Sequence, residues 1–243
     1  MTEQVFRDAP YARSCNAVVT AADERGIVAD RTVFYTVFYP AGGGQPGDTG
    51  RLVLAGGNRI AIVDTVKGEG TDEIIHVPAP GTPPPSPGTI LEACIDWERR
   101  HAHMRFHTCL HLLCALIPAP VTGGRIAADK AHLDFDIDMA LLDREQIEAK
   151  LNALIEAGHA VEAGWITDEE LGANPQLVRT MSVAPPRGQG RVRIVIVPGV
   201  DLQPCGGTHV RNTCEIGRVA VLKIRSEGKR NKRVTIGFAA DVG

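Results

Sequence analysis

The sequence has no apolar run close to the roughly 18 residues of a membrane-spanning helix, and no basic-then-apolar segment at its N-terminus. We therefore expect a protein without a membrane partner or a secretory signal. Its six cysteines in 243 residues are too sparse for a disulfide-stapled scaffold. This cysteine usage indicates a reduced, cytoplasmic setting, in which thiolates are available to bind metal.

Positive charge is scarce in the first part of the chain and concentrated near its end. Residues 1–97 carry 7 Lys or Arg against 12 Asp or Glu, although the whole chain has a net charge of only −3. The densest positive run lies near the C-terminus, interrupted by Glu227 alone, and contains Lys223, Arg225, Lys229, Arg230, Lys232 and Arg233. Such a run is either a solvated surface or a phosphate-binding one, and charge alone does not decide between them.

Residues 1–97 are predicted to form a small β-barrel. Strands are expected at 15–21, 32–38, 60–66, 74–77 and 89–97, which are rich in β-branched and aromatic residues and are separated by turn signals. Residues 78–88 contain six prolines and resemble a domain linker. Because the following segment still has the pattern of a strand, we interpret the proline segment as a surface loop of the barrel.

Residues 98–243 are predicted to form an α+β domain. A helix should run from residue 98 to about 117, and a second should begin after Asp143, with Gln146 as its capping partner. Strands are expected at 160–166 and 192–197, and a final hairpin at 218–225 with 233–238, so that two helices cover an antiparallel sheet.

Two short phrases in this second half, HTCLH and CGGTH, each place a pair of metal-binding side chains four residues apart. His107 and His111 lie on one face of the predicted helix, whereas Gly206 and Gly207 allow a tight turn that brings Cys205 and His209 together. Imidazole and thiolate donors suit tetrahedral zinc. A single histidine on a helix is usually a core residue, but two paired half-sites favour a zinc centre.

Four protein ligands normally close a zinc site, whereas a catalytic zinc keeps one position open. Two alternatives follow: one ligand is displaceable, His209 being the first candidate, or the metal shapes the pocket while water is activated elsewhere. His101, His103 and His132 lie near the first half-site in sequence and are not expected to bind the ion.

A glycine-rich phrase, GGGQPGDTG, occupies residues 42–50. It lacks the lysine of a P-loop, and no helical pattern follows it, so the phrase does not predict a nucleotide-phosphate site. Gln45 is an unusual residue for a connecting turn. Its glycine neighbours permit a close backbone approach and would direct one polar side chain.

Taken together, HTCLHLL, CGGTH, GGGQPGDTG, IDWERR and IRSEGKRNKRVTI resemble the alanyl-tRNA editing proteins called AlaX, relatives of the editing domain of alanyl-tRNA synthetase. The resemblance covers nearly the whole chain and is closest to the medium-length form, without room for an oligomerising extension or aminoacylation machinery. It implies a β-barrel with the GGGQ motif over residues 1–97, followed at 98–243 by a two-layer α/β zinc-containing editing domain.

The resemblance also implies roles for particular residues. The family's zinc ligands match His107, His111, Cys205 and His209, and its functional glutamine, with the glycines before it, matches Gln45, Gly43 and Gly44. The implied activity is hydrolysis of the ester in mischarged tRNA(Ala), chiefly seryl- and secondarily glycyl-tRNA(Ala), with no DNA or obligatory protein partner. An apolar activation pocket rejects an added hydroxyl only weakly, by something like 10²-fold, which makes a second hydrolytic site useful.

Gln45 and Thr108 are the candidate polar groups for catalysis, Thr108 being the weaker. Lys229, Arg230 and Lys232 are expected to contact the tRNA backbone, with Arg99, Arg100 and Arg105 as a second candidate surface. Two alternatives remain: a non-catalytic, zinc-stabilised RNA-binding module, and an editing hydrolase for another tRNA, such as a threonyl-type system.

Overall fold

The computed structural model of the chain describes residues 2–35, 44–68, 73–179 and 190–239. The chain divides into two units, which comprise residues 1–40 with 46–101, and residues 41–45 with 102–243. The fold is mixed α+β, and the first unit contains a closed barrel, as the sequence predicted. The described residues Gly44 and Gln45 group with the second unit, whereas the sequence analysis assigned them to the first.

Before the long helix that begins at Trp97, the described residues of the first unit form eight strands and one short helix. They are β1 (Glu3–Gln4), α1 (Val5–Asp8), β2 (Ser14–Asp23), β3 (Gly26–Ala29), β4 (Arg31–Thr32), β5 (Gly50–Leu54), β6 (Arg59–Lys67), β7 (Ile74–Pro78) and β8 (Ile90–Ile95). Six of these strands close the barrel in the order β2-β3-β7-β6-β5-β8. The proline segment connects β7 to β8, so it is a loop of the barrel, as expected.

Alternation along the barrel strands explains the core. In β6, Ile60 and Ile62 are buried while their neighbours face solvent, and Leu52 of β5 and Ala93 of β8 are fully buried beside them. Side chains of one face fill the interior of a barrel of this size.

The strand predicted at 32–38 is wrong where the structure describes it. β4 ends at Thr32, residues 33–35 are not in a strand, and 36–38 lie outside the described residues. Side chains take the place of a ladder partner: the amide of Tyr35 donates to Asp48 Oδ2 at 2.7 Å, and the Val33 carbonyl accepts from Arg100 at 2.7 Å. Residues 33–35 are therefore buried by the packing of their side chains, although they do not belong to a sheet.

Helix α2 (Trp97–Leu116) is the long helix predicted from residue 98. It carries many fully buried side chains, including Met104, Phe106, Leu112 and Leu113. Buried apolar residues therefore lie on most sides of the helix, as expected for a helix in a protein core.

The second unit contains the rest of the regular structure. Its elements are β9 (Val121–Ile126), β10 (Lys130–Phe135), α3 (Arg144–Glu156), β11 (Glu162–Thr167), α4 (Asp168–Ala173), β12 (Arg191–Val197), β13 (Asp201–Pro204), β14 (Val219–Ser226) and β15 (Lys232–Phe238), with 3₁₀ turns at Met139–Leu141, Pro175–Leu177 and Thr213–Ile216. Among the described residues the strands form two antiparallel sheets, ordered β14-β15-β10-β9 and β11-β12-β13. A single sheet had been expected. The strands β9, β10 and β13 were not predicted, and they extend the pairs β14-β15 and β11-β12 into two sheets.

Helix α3 confirms its predicted start and packs against the edge strand β14. Asp143 is its N-cap and accepts from the Gln146 amide at 3.0 Å. Leu151 and Ile155 are buried, and burial of each side chain stabilises the fold by about 1.5–3 kcal/mol. The side-chain amide of Asn152 donates to the Val219 carbonyl and accepts from its N–H, at 2.8 and 3.0 Å. This amide pairs with the strand as a neighbouring backbone would and covers its edge. No helix in the described ranges is long and apolar enough to span a membrane.

Candidate metal centre

Two pairs of donor side chains meet in the second unit. His107 and His111 project from one face of α2, and Cys205 and His209 come from the turn that follows β13. One donor atom from each of the four lies within 4.8 Å of all the others. The predicted convergence of HTCLH and CGGTH is therefore confirmed.

The two sulfur–nitrogen spacings fit a tetrahedral metal ion. Cys205 Sγ lies 3.4 Å from His107 Nε2 and 3.3 Å from His209 Nε2. Bonds of about 2.0 Å to nitrogen and 2.3 Å to sulfur at tetrahedral angles would separate sulfur and nitrogen by about 3.5 Å. Three imidazoles and one thiolate are also a donor set that zinc prefers.

Each of the three histidines has its Nδ1 atom hydrogen-bonded to an oxygen. The partners are Gln45 Oε1 at 2.8 Å from His107, Asp201 Oδ2 at 2.8 Å from His111, and Thr108 Oγ1 at 3.2 Å from His209. An oxygen that accepts at Nδ1 fixes the tautomer, so the Nε2 lone pair of each ring remains for an ion. All three rings thus share one arrangement, with Nδ1 outward and Nε2 toward the centre.

The orientation of the Gln45 amide follows from its neighbours. The backbone N–H of Thr208 can only donate, and it lies 3.2 Å from Gln45 Oε1, while Gln45 Nε2 donates to Thr208 Oγ1 at 2.8 Å. Gln45 is 1% exposed, so its amide is held by these contacts and by His107. Gly44 precedes it with φ of 68°, and its carbonyl accepts from the Ile126 amide at 2.7 Å. Gly43 lies outside the described residues.

Thr108 is buried and has a defined hydrogen-bonding arrangement. Its hydroxyl donates to the Met104 carbonyl at 3.0 Å and accepts from the Val210 amide at 3.2 Å. Because its single proton is used on Met104, the contact with His209 places the proton on His209 Nδ1. Thr108 therefore orients His209, a member of the candidate metal cluster, and is not limited to packing.

Asp201 was missed by the sequence analysis. Its side chain is fully buried and accepts from His111, and Gln203 Nε2 donates to both of its oxygens at 2.9 Å. Asp201, Gln203 and Cys205 are spaced two residues apart on and just after β13, and such a spacing places side chains on one face of a strand. That alternation immediately before CGGTH was the available signal.

The charges of the cluster favour binding of a cation. Burial would raise the pKa of Cys205, but His107 and His209 hold it well below its usual value. Burial would lower the pKa of His111, yet hydrogen bonds to Asp201 and Cys205 raise it to about 10. Burial, with His107 next, lowers the pKa of His209 to about 3. A lowered pKa favours the thiolate form of Cys205, which is the form that binds a cation.

Gly207, the second glycine of CGGTH, leaves room for the imidazole of His107. A Cβ atom at Gly207 would overlap the imidazole of His107 and would lie 3.1 Å from Gln45 Oε1. Arg193 secures the same turn, because its Nη1 donates to the carbonyls of Cys205 and Gly207 at 2.7 and 3.0 Å.

The predicted non-ligand histidines do not belong to the cluster. His101 stacks on Trp97 with ring centroids 5.3 Å apart, His103 is fully buried in α2, and His132 lies on β10.

Of the α2 arginines predicted as a second phosphate-binding surface, Arg100 is excluded by its burial, whereas phosphate contact by Arg99 and Arg105 stays a prediction. Arg100 is fully buried, ion-paired with Asp48, and donates to two backbone carbonyls, so the structure contradicts its assignment to tRNA contact. Arg99 donates to the Gly47 carbonyl at 2.6 Å, and Arg105 donates to the Ile216 carbonyl at 2.8 Å. These side chains serve the fold, because the carbonyls they bind would otherwise lack those donors.

The basic hairpin is partly neutralised by acidic residues from β10 and the segment after it. Arg233 forms a two-bond ion pair with Asp134, and Arg230, which is 73% exposed, pairs with Asp136. Lys232 is buried, and its Nζ donates to the Gly228 and Lys229 carbonyls at 2.8 and 3.0 Å. The structure therefore contradicts a phosphate-contact role for Lys232, which closes the hairpin turn, whereas Lys229 is exposed.

The described residues combine a closed barrel, an α+β unit and a His₃Cys cluster. These are the features expected of an aminoacyl-tRNA editing protein from the resemblance in sequence. Residues 192–235 match the sequence model for the second additional domain of threonyl- and alanyl-tRNA synthetases. The chain is a member of the AlaX family of alanyl-tRNA editing proteins, in its medium-length form.

Relatives cover almost the entire chain. The alanyl-tRNA editing protein AlaX-M of Saccharolobus solfataricus is 34% identical over 96% of this chain and 98% of its own length. AlaX-M of Methanosarcina acetivorans is 31% identical over 96% of this chain and 98% of its own length. The alanine–tRNA ligase of Aeropyrum pernix is 33% identical over 91% of this chain but only 24% of its own length.

Proposed function

We propose that this protein is a zinc-containing hydrolase that removes serine, and less prominently glycine, from mischarged tRNA(Ala). The observation that carries the proposal is the converged His₃Cys cluster, in a chain that matches alanyl-tRNA editing proteins over nearly its full length. Zinc, when bound, supplies polarisation of an oxygen or amine of the substrate and a lowered pKa for a bound water.

The exposure of the donors supports an approach of the aminoacyl end from the side of His107 and Cys205. His107 and Cys205 are partly exposed, whereas His111 and His209 are buried, and Thr108 holds His209 from behind. We therefore place the aminoacyl group beside His107 and Cys205. This argues against His209 as the displaceable ligand, because its release would disturb the buried contact with Thr108.

The chain's own polar groups act as positioning residues in this proposal. Gln45 holds His107, and Thr108 holds His209. An ester needs little activation, so holding it correctly beside a polarising group supplies much of the required rate. Gly44, with its φ of 68°, supports the approach of the chain that brings Gln45 to the cluster.

Lys229 and Arg230 are the residues we propose for contact with the tRNA backbone. Both are exposed on the hairpin turn, and Arg230 can exchange Asp136 for a phosphate at little cost, because a solvent-exposed ion pair contributes little stability.

The test is deacylation of seryl-, glycyl- and alanyl-tRNA(Ala), with and without chelator. Serine should be removed at least ~10-fold faster than alanine. A polar group that binds the serine hydroxyl has no partner when alanine is bound, and this costs about 1–3 kcal/mol. Equal rates on seryl- and alanyl-tRNA would contradict an editing role. Seryl-tRNA(Thr) serves as the comparison that detects a threonyl-type editor.

A second candidate, a non-catalytic zinc-stabilised RNA-binding module, is favoured by one observation. Four protein donors complete a tetrahedral site without leaving a position for water. In that case chelation would unfold the second unit, and no aminoacyl-tRNA would be hydrolysed at any metal content.

A further inference from the structure

Trp165 is a large aromatic side chain on the surface of the second unit. It lies on β11 and is 48% exposed. The guanidinium of Arg191, itself exposed on β12, lies 4.4 Å from the centroid of the indole. An exposed indole beside a cation combines the two features with which proteins bind unpaired nucleotides: a stacking surface and a phosphate-seeking charge.

The register of the three-stranded sheet places Trp165 on the same face as the metal centre's supports. Trp165 pairs directly with Arg193, and opposite residues of an antiparallel pair project to the same side. Along β12, Val195 and Val197 share that side with Arg193, and they pair with Gln203 and Asp201 of β13. One sheet face therefore carries the indole at one edge and, at the other, the carboxylate that binds His111.

The distance across that face is short. The Arg193 carbonyl accepts from the Cys205 amide at 3.0 Å, so Cys205 lies beside Arg193 on the side opposite β11. Trp165 and Cys205 are thus separated by two strand spacings, which is about 10 Å between backbones. The side chain of Arg193 bridges part of this interval through its bonds to the Cys205 and Gly207 carbonyls.

We infer that Trp165 and Arg191 form a stacking site for an unpaired nucleobase at the 3′ end of the tRNA. The inference rests on the proposed function, in which the ester at that 3′ end lies at the metal centre. A base close to the ester must then lie near the metal centre. The exposed indole of Trp165 provides an aromatic surface on the adjoining sheet face. Stacking on an aromatic ring is independent of base identity, so this site binds the end without reading its sequence.

Fluorescence provides a direct assay, because the chain contains two tryptophans. Replacing Trp97 by Phe leaves Trp165 as the reporter. The probes are an uncharged acceptor-stem minihelix with its single-stranded 3′ end and the same minihelix trimmed to a blunt end. The first should quench Trp165 at saturation and the second should not.

Binding constants with the natural Trp97 then measure the contribution of the ring. Trp165→Ala should weaken binding of the overhanging minihelix by roughly 5- to 150-fold, and Trp165→Phe by much less, because a smaller ring still stacks. Both variants should bind the blunt minihelix like the unchanged protein. On seryl-minihelix, Trp165→Ala should raise KM with kcat nearly unchanged.

The outcomes separate this inference from the function on which it rests. If the unchanged protein hydrolyses seryl-minihelix and Trp165→Ala does so with the same KM, the stacking site is refuted and the editing function stands. If the unchanged protein hydrolyses no charged RNA, the proposed function fails, and the two minihelices still decide whether Trp165 binds RNA. Absence of quenching by both minihelices at saturation overturns the inference and leaves the Trp165 face available for a protein partner. Unchanged metal content and melting temperature in the variants exclude a folding defect, as expected for a half-exposed side chain.

Discussion

Replacing Asp201 should weaken metal binding although Asp201 is not a ligand. Its carboxylate is fully buried and accepts the Nδ1–H of His111 at 2.8 Å. Loss of such an outer partner typically lowers metal affinity 10- to 100-fold, which is about 1.4–2.7 kcal/mol. Asp201→Ala removes both the acceptor and the charge, so it should show the larger loss. Asp201→Asn keeps an oxygen in place and should show a smaller one.

Zinc affinity is measured by competition with a chromophoric chelator at fixed pH, with Asp129→Ala as the matched control. The Asp129 carboxylate is 70% exposed and lies away from the cluster in sequence, on the turn between β9 and β10. The control should bind zinc like the unchanged protein. The reasoning is refuted if Asp201→Ala remains folded and binds zinc within twofold of the control. If Asp201→Asn and Asp201→Ala lose affinity equally, the charge and not the orientation of His111 is the important quantity.

Gln45, His76 and the basic hairpin turn each lead to one further prediction. Gln45→Ala should reduce both zinc affinity, by about 10-fold or more, and the deacylation rate, because the amide orients a ligand; a lower rate with unchanged affinity would instead indicate direct contact with the substrate. Burial lowers the pKa of His76 from 6.5 to about 4, so its contribution to stability is complete above pH 6.5 and is lost as the pH falls toward 4. Urea unfolding should show up to about 3 kcal/mol of acid destabilisation that His76→Gln lacks, and equal pH slopes would contradict this. Replacing Lys229 and Arg230 together by Ala should reduce the salt slope of tRNA binding by about 0.7–0.9 per lost phosphate contact, and an unchanged slope would exclude this turn from the interface.

Local patterns in the sequence were sufficient for the metal donors. The i, i+4 spacing of His107 and His111 and the glycine turn of CGGTH are set by nearby residues, and the structure brings them together as predicted. The cap at Asp143 and the final hairpin were predictable for the same reason. Each of these features depends on residues within about one turn of helix or one strand pair.

Partners from distant parts of the chain could not be predicted in this way. Arg100 was interpreted as a surface charge, but Asp48, which is far away in sequence, provides a buried counter-ion for it. Asp201 acts through a histidine 90 residues away. Charged side chains are usually exposed, so a sequence pattern alone does not identify the exceptions.

The membership of Gln45 in the second unit limits how this protein can be dissected. A fragment that begins at residue 102 would contain all four metal donors, yet it would lack the amide that holds His107. Supplying that amide requires residues that are preceded and followed in the chain by the barrel unit. No single cut therefore yields a complete editing module. A transplant into another enzyme, or an autonomous minimal editor, would have to include the barrel or reconnect the GGGQ segment to the second unit by a new linker.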